Sequence, residues 1–164
     1  MGDLDVEEAE CHRIASACHA VVASLGYRLA PEHKFPIPIN DCYAGFQWAI
    51  EHASELNIDS SKAATTGMSA GALAAIVVAC MDTDSAEPRS KFVAAVQPLT
   101  VVRGFEPDHL RSQLRSVDVI GGADGDKSLR FLAAQHVPKG QERNPYIVPL
   151  IIVALNGSLL TTLL

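Results

Sequence analysis

The sequence predicts an α/β fold in which a mostly parallel sheet is flanked by helices. Runs of strand length occur at residues 20–25, 63–66 and 92–99, and helical patterns of ten or more residues separate them. Strands connected through helices of this length usually pair in parallel. Ligand sites in such sheets lie beyond the carboxyl ends of the strands. The residues that follow each strand are therefore the first candidates for a functional site.

The first half of the chain alternates between regular segments and one irregular loop. Residues 5–19 carry an apolar stripe at helical spacing, and the apolar run at 20–25 has the length of a buried strand. Three prolines within residues 30–38 remove backbone donors and fix φ, which predicts a structured loop. A second helix is expected to begin at Asn40 or Asp41, either of which can cap it, and to run to about residue 56.

The next segment predicts a strand, a tight turn and a helix in direct succession. Residues 63–66 are short and partly β-branched, and an alanine-rich helical run continues to about Met81. The turn between them has the sequence Gly67-Met68-Ser69-Ala70-Gly71. This G-x-S-x-G spacing is typical of a nucleophile elbow, in which a strained turn lifts a serine above the sheet. Neighbouring Cβ atoms would have no room there, which explains the glycines two positions before and two positions after the serine.

The remainder of the chain has a weaker pattern. Residues 92–99 predict a second buried strand whose end is marked by Pro98. Short helices are expected at 107–115 and 127–136, with a glycine-rich loop between them. Residues 146–164 carry no charge, but a proline, an asparagine and a glycine interrupt them, so a buried strand and hairpin is favoured over a membrane anchor.

Composition and charge exclude several classes of partner. Of the 164 residues, 48% are hydrophobic and 20% are charged, which is an ordinary balance for a globular domain. The net charge is −6, no basic cluster occurs, and aromatic residues make up only 5%. Nucleic acid and anionic membranes are bound through clustered Lys and Arg. Neither is therefore expected as a partner.

The cysteines indicate a reducing compartment. The four of them occur without a C-x-x-C pair: Cys11, Cys18, Cys42 and Cys80. The chain begins with an acidic stretch instead of a signal peptide, so we expect reduced thiols in a cytoplasmic protein. Cys11-His12 and Cys18-His19 repeat a Cys-His pair, but adjacent side chains on a helix point to different faces. An amphipathic helix is favoured there, and no metal site is predicted.

Two motifs together resemble a known family. The first is the sequence Tyr27-Arg28-Leu29-Ala30-Pro31-Glu32-His33, and the second is the G-x-S-x-G turn that ends at Gly71. With the helix between them, the chain resembles the hormone-sensitive-lipase branch of the α/β-hydrolase fold, which contains carboxylesterases, lipases and arylacetamide deacetylases. The resemblance covers about residues 2–99 and returns faintly at 144–150. It implies one incomplete domain, with a core at 1–100 and a cap-like or divergent part at 101–164.

The resemblance implies hydrolysis of a small apolar carboxylic ester through an acyl-enzyme, without a metal or organic cofactor. Ser69 would be the nucleophile, and the Ala70 N–H would donate to the oxyanion. Gly67, Met68 and Gly71 would form the nucleophile elbow. Arg28 and Glu32 would brace the loop near the active site, which is a structural role.

The chain departs from the family pattern, which implies truncation at both ends. The family's His-Gly-Gly-Gly motif would precede residue 2, and no segment matches its catalytic Asp and His. Met68 replaces the usual acidic residue of the elbow, and Ala72 and Leu73 replace glycine and asparagine. His109 and His136 lie in the divergent part, where neither has a third group to orient it as a base. We therefore expect weak or absent esterase activity.

Two other functions remain open at this point. The chain could be a binding module for small molecules with the same fold, because some members of this branch are receptors without the catalytic histidine. It could also be a membrane-associated interaction protein held by residues 146–164. An incomplete sheet would expose a strand edge and apolar faces, which predicts homo-oligomers formed through that edge.

Overall fold

The computed structural model describes residues 4–100 and 125–147. Its helices and strands, in chain order, are α1 (Glu8–Cys18), α2 (Ile37–Glu51), a 3-10 turn (Ser60–Lys62), β1 (Ala63–Met68), α3 (Ala70–Thr83), β2 (Ser90–Val96) and α4 (Gly125–His136). β1 and β2 pair in parallel and α3 connects them. The predicted α/β class with a parallel sheet flanked by helices is therefore confirmed.

The register of the sheet brings the carboxyl ends of the two strands together. Met68, the last residue of β1, lies opposite Val96, the last residue of β2. The Thr65 hydroxyl donates to the carbonyl of Ala75 in α3 at 2.9 Å, which fixes the helix against β1. The predicted strand at 92–99 ends at Val96, because Gln97 turns to a φ of 50° and leaves the extended conformation.

Helix α3 forms the centre of the core. Six apolar residues of this helix are less than 8% exposed, and Ala72 and Val77 are completely buried. The core also takes in Ile39 and Cys42 of α2. A helix that packs against a sheet on one side and a helix on the other must be apolar around most of its circumference. The alanine-rich sequence fits this position, because small side chains allow close packing on both sides.

Helix α2 begins three residues earlier than the predicted cap. It starts at Ile37, with Pro38 in its first turn, where proline is tolerated because the first backbone donors have no intrahelical partner. The proline-rich loop is correspondingly shorter than predicted. Asp41 is therefore inside the helix and is not a cap. The helix ends at Glu51, and residues 52–57 form turns instead of the predicted last helical turn.

The prediction of a strand at residues 20–25 is wrong. Residues 20–29 have no regular secondary structure, and the sheet of the described residues contains only β1 and β2. A strand forms only where a neighbouring strand accepts and donates its backbone hydrogen bonds. The segment instead lies against α2, where a Cβ atom added to Gly45 would be 2.7 Å from Leu25 Cδ2. The absence of a side chain at Gly45 thus makes room for Leu25.

Helix α4 confirms the helix predicted at 127–136, and it packs on the proline-rich loop. The Phe35 N–H donates to the His136 carbonyl at 3.1 Å, and the Phe35 ring contacts a small cluster formed by Val137 and Ile147. The predicted helix at 107–115 and residues 148–164 of the predicted tail lie outside the described residues. Among the helices that are described, none combines the length and apolar character needed to span a bilayer.

Candidate active site

The turn between β1 and α3 has the geometry that the G-x-S-x-G spacing predicts. Ser69 lies between the last residue of the strand and the first residue of the helix, with φ 54° and ψ −114°. This conformation is unfavourable for any residue with a Cβ atom. The Ser69 N–H donates to the Val96 carbonyl of β2 at 2.9 Å, and its carbonyl accepts from the Leu73 N–H at 3.1 Å. Both backbone groups are therefore fixed while the side chain is exposed.

The two glycines of the motif have different structural roles. A Cβ atom at Gly67 would lie 2.4 Å from the carbonyl carbon and oxygen of Gly71 and 2.9 Å from the Ala72 nitrogen. At Gly71 an added Cβ atom would meet no atom within 4 Å. The expectation that lack of room explains both glycines is correct for Gly67 and wrong for Gly71. Gly67 lets the first turn of α3 approach the end of β1, and Gly71 supplies the backbone that it approaches.

The N-terminus of α3 provides donors next to Ser69. The first amides of a helix have no intrahelical acceptor, and they lie at the positive end of the helix dipole. Ala70 is the first residue of α3 and is exposed. Backbone donors at this position can stabilise a negative oxygen that forms beside the serine. Met68, on the other side of Ser69, is 48% exposed and presents an apolar side chain to solvent.

Within residues 4–100 and 125–147, no side chain forms a hydrogen bond with the Ser69 hydroxyl. His136 ends α4 with a buried Nε2 atom that has no hydrogen-bond partner, and burial lowers the pKa of its imidazole. His52 stacks on Trp48, with the ring centroids 4.4 Å apart. His109 lies outside the described residues. The same part of the chain has no cluster of His, Cys, Asp or Glu placed to hold a metal ion.

Arg28 is held by Asp41 of α2. The Arg28 Nε donates to Asp41 Oδ2 at 2.9 Å, Nη2 donates to Oδ1 at 2.6 Å, and the backbone N–H donates to Oδ2 at 3.0 Å. The side-chain hydrogen bond from Arg28 is the main reason that the pKa of Asp41 falls from 3.8 to about 2. Glu32 is exposed and forms no hydrogen bond with the described residues. The two residues predicted to act together in the loop are therefore not joined to each other.

Three residues that bear on this region were not singled out from the sequence as site residues. Asp41 holds the segment before the loop, and Gln97 follows the strand next to Ser69. Asp82 is 5% exposed, and its Oδ2 accepts from the backbone N–H groups of Arg89 and Ser90 at 2.7 Å each. It thereby fixes the start of β2 to the end of α3. Of these three, only Gln97 could have been recognised from the sequence, because it lies near the carboxyl end of the predicted strand, directly before Pro98.

Comparison with known proteins finds curated relatives of similar sequence. A carboxylic ester hydrolase, LipN, from Mycobacterium tuberculosis is 41% identical over 162 residues, which covers 96% of this chain and 42% of the relative. Esterase LipI from the same bacterium is 38% identical over 101 residues, or 62% of this chain and 32% of the relative. The chain thus spans less than half the length of these curated relatives.

Solved structures of esterases superpose on most of the chain. The thermostable carboxylesterase EstE1, cloned from a metagenomic library, gives a TM-score of 0.82 at 28% identity, covering 92% of this chain and 51% of that structure. An esterase from Pyrobaculum calidifontis gives 0.79 at 29% identity, covering 92% and 47%. The family model described as the alpha/beta hydrolase fold matches residues 1–162. The chain therefore belongs to the alpha/beta hydrolase family.

Proposed function

We propose that the chain carries the nucleophile of a carboxylic ester hydrolase and that this nucleophile is Ser69. The observation that carries the proposal is the strained, exposed serine held between the end of β1 and the first amides of α3. Strained backbone conformations in folded proteins concentrate at functional sites. The relatives named as esterases support the same chemistry. The substrate is a small, mainly apolar carboxylic ester.

The reaction follows from the position of the serine. Ser69 Oγ attacks the carbonyl carbon of the ester, and its proton passes to a base. The oxygen of the tetrahedral intermediate accepts from the Ala70 N–H at the start of α3. The bond to the alcohol then breaks, the alcohol leaves with a proton, and the acyl group stays on Ser69 until water hydrolyses it. Gly67 keeps strand and helix close enough for this geometry.

The proposed base for the described part of the chain is hydroxide from solvent, because no described histidine forms a hydrogen bond with Ser69. A serine without a histidine base retains only the contributions of binding and of the oxyanion donors. The rate of acylation is then expected to rise with pH without a plateau. A plateau above pH 6.5, the ordinary pKa of histidine, would instead identify an imidazole base, and His109 and His136 would be replaced in turn.

The test is covalent labelling with an alkyl fluorophosphonate, read by intact mass spectrometry. The Oγ–P bond forms, the P–F bond breaks, fluoride leaves, and solvent takes the serine proton. We expect one adduct, located on Ser69 by peptide mapping and formed at a rate that rises with pH, and none in Ser69→Ala. A p-nitrophenyl ester assay of both proteins measures turnover. Labelling that persists in Ser69→Ala, or no labelling of the wild type, would overturn the proposal.

We also propose that Arg28 supports the site indirectly. Its side chain joins the segment at residues 20–29 to α2 through Asp41, and α2 packs against α3 in the core. Arg28 thus holds the loop that follows it without contacting substrate. The role of Glu32 in this support stays a prediction.

A second candidate function is a binding module without catalysis. It is favoured by the Ser69 hydroxyl, which has no base within hydrogen-bond distance among the described residues. Saturable binding of an apolar ester or carboxylate, measured by calorimetry and equal in the wild type and Ser69→Ala, would favour this function. Labelling of Ser69 by the fluorophosphonate would favour hydrolysis.

We propose further that copies of the chain associate through the sheet. In the described part of the chain each strand has one partner, so each has one unpaired edge, and unpaired edges template further pairing. Phe92 of β2 is 60% exposed and Val96 is 52% exposed. Sedimentation velocity is expected to show dimers or larger species, and a monodisperse monomer at all concentrations would contradict this.

A further inference from the structure

Gln97 directly follows the last residue of β2, and Ser69 directly follows the last residue of β1. The register pairs Met68 with Val96, so Ser69 and Gln97 leave their strands at the same edge of the sheet. The Ser69 N–H donates to the Val96 carbonyl at 2.9 Å. That carbonyl belongs to the peptide group that joins Val96 to Gln97. One hydrogen bond therefore joins Ser69 to the peptide group that Gln97 shares with Val96.

Gln97 shares the unusual backbone conformation of Ser69. Four non-glycine residues among those described have positive φ: His19, Asn57, Ser69 and Gln97. His19 caps the end of α1 and Asn57 ends the turns after α2, where the left-handed conformation is common. Ser69 and Gln97, with φ of 54° and 50°, instead follow two paired strands. Such strain at the carboxyl edge of a parallel sheet marks the place where ligands bind.

The side chain of Gln97 is available to a ligand. It is exposed and forms no hydrogen bond with the described residues. A carboxamide offers two N–H donors and a carbonyl acceptor. Its neighbours at the edge of the sheet, Met68 and Val96, are apolar and about half exposed. Gln97 is thus the hydrogen-bonding side chain directly after β2, at the edge of the sheet where Ser69 lies.

We propose that Gln97 is a specificity-determining residue of the Ser69 site. Its carboxamide donates to an oxygen on the acyl part of the ester, close to the scissile carbonyl, and so favours alkoxy or hydroxy acids over plain hydrocarbon acids. This inference rests on the proposed function of Ser69. A net hydrogen bond of ordinary strength corresponds to about a fivefold preference.

The test compares two fluorophosphonates of equal chain length, one with a hydrocarbon chain and one with an ether oxygen near the phosphorus. The second-order rate constant for labelling of Ser69 is measured with each, in the wild type, Gln97→Glu and Gln97→Gly. Glutamate keeps the shape of the side chain but loses the donors, and glycine removes the side chain while accepting a positive φ. The result is the ratio of the rate constants for the two probes. An effect of the substitution on the general reactivity of Ser69 changes both rate constants equally and cancels from the ratio.

We expect the wild type to prefer the ether probe about fivefold and both variants to label at nearly equal rates with the two probes. The rate with the hydrocarbon probe should change less than the rate with the ether probe. Labelling with an unchanged ratio in both variants would overturn the role of Gln97 and leave the proposed function of Ser69 intact. Failure of the wild type to label with either probe would overturn both.

Discussion

The unit β1–α3–β2 and the segment from α1 to the proline-rich loop are stabilised in different ways. In the first, a buried helix packs on two paired strands, and every element that fixes Ser69 lies within residues 63–97. In the second, α1 contains no buried residue, and residues 20–29 are attached to α2 through the Arg28–Asp41 pair and the close approach of Leu25 to Gly45. Packing of a buried helix therefore positions the candidate nucleophile, whereas an exposed ion pair and partly buried side chains hold the region in front of it.

The largest expected effect on stability is at Gly67 in the unit β1–α3–β2, where there is no room for a Cβ atom. Gly67→Ala forces a Cβ atom to within 2.4 Å of the Gly71 backbone, so the strand or the helix must shift. We expect the free energy of unfolding to fall by about 3 kcal/mol, as in severe overpacking. Denaturant titration measures this change.

Gly71→Ala is the matched control for the same turn, because an added Cβ atom meets open space there. Its free energy of unfolding should stay the same or rise by up to about 1 kcal/mol, since alanine favours a helix more than glycine does. Equal losses in the two variants would show that the turn depends on glycine flexibility and not on the close approach at Gly67.

The second effect separates the two regions directly. Val77 in α3 is completely buried, whereas Val21 is 58% exposed. Val77→Ala is expected to lower the free energy of unfolding by about 2 kcal/mol, because it removes buried methyl groups and leaves a cavity. Val21→Ala should change it by less than about 0.5 kcal/mol. Chemical denaturation of both variants measures the two losses. If Val21→Ala lowered the free energy of unfolding as much as Val77→Ala, the contrast between the two regions would be wrong.

The third effect concerns strain at the candidate nucleophile. Ser69 has a φ of 54°, which glycine adopts without cost. Ser69→Gly is expected to be more stable than Ser69→Ala by about 1 kcal/mol. Both variants lack the hydroxyl, so their thermal midpoints isolate the backbone contribution. If alanine were as stable as glycine, the turn would carry no strain.

The core unit could be predicted from the sequence because its signals are local. Short β-branched residues, a G-x-S-x-G turn and an alanine-rich run occur consecutively, and the structure places strand, turn and helix in that order. The exact ends were less predictable. Whether Pro38 lies in a loop or in the first turn of a helix depends on the packing of Ile39 into the core.

The polar contacts of the other region could not be predicted, because they join residues that are distant in sequence. Arg28 and Asp41 are 13 positions apart, and Asp41 equally fits a helix cap. The apolar run at 20–25 fits a strand by composition, but only a neighbouring strand can make it one. The proximity of Gln97 to Ser69 likewise follows from the register of two strands 28 residues apart.

The smallest expected effect is the dependence of stability on pH that arises from Asp41. Its pKa is 3.8 in an unfolded chain and about 2 in the folded protein, chiefly because of the Arg28 hydrogen bond. A pKa that is lower in the folded state adds stability at pH values above 3.8, and this contribution disappears as the pH falls through about 2. Since the Arg28 side chain is 57% exposed, solvent and salt weaken the contribution.

Asp41→Asn should therefore be less stable than the wild type near neutral pH, and the difference should shrink as the pH falls from about 4 to about 2. Glu32→Gln is the control, because the Glu32 carboxylate forms no hydrogen bond or ion pair with the described residues. It should follow the wild-type acid transition measured by circular dichroism. If Glu32→Gln lost stability in the same window, the loop would be braced by Glu32 as well, and the attachment of this region would not rest on the Arg28–Asp41 pair alone.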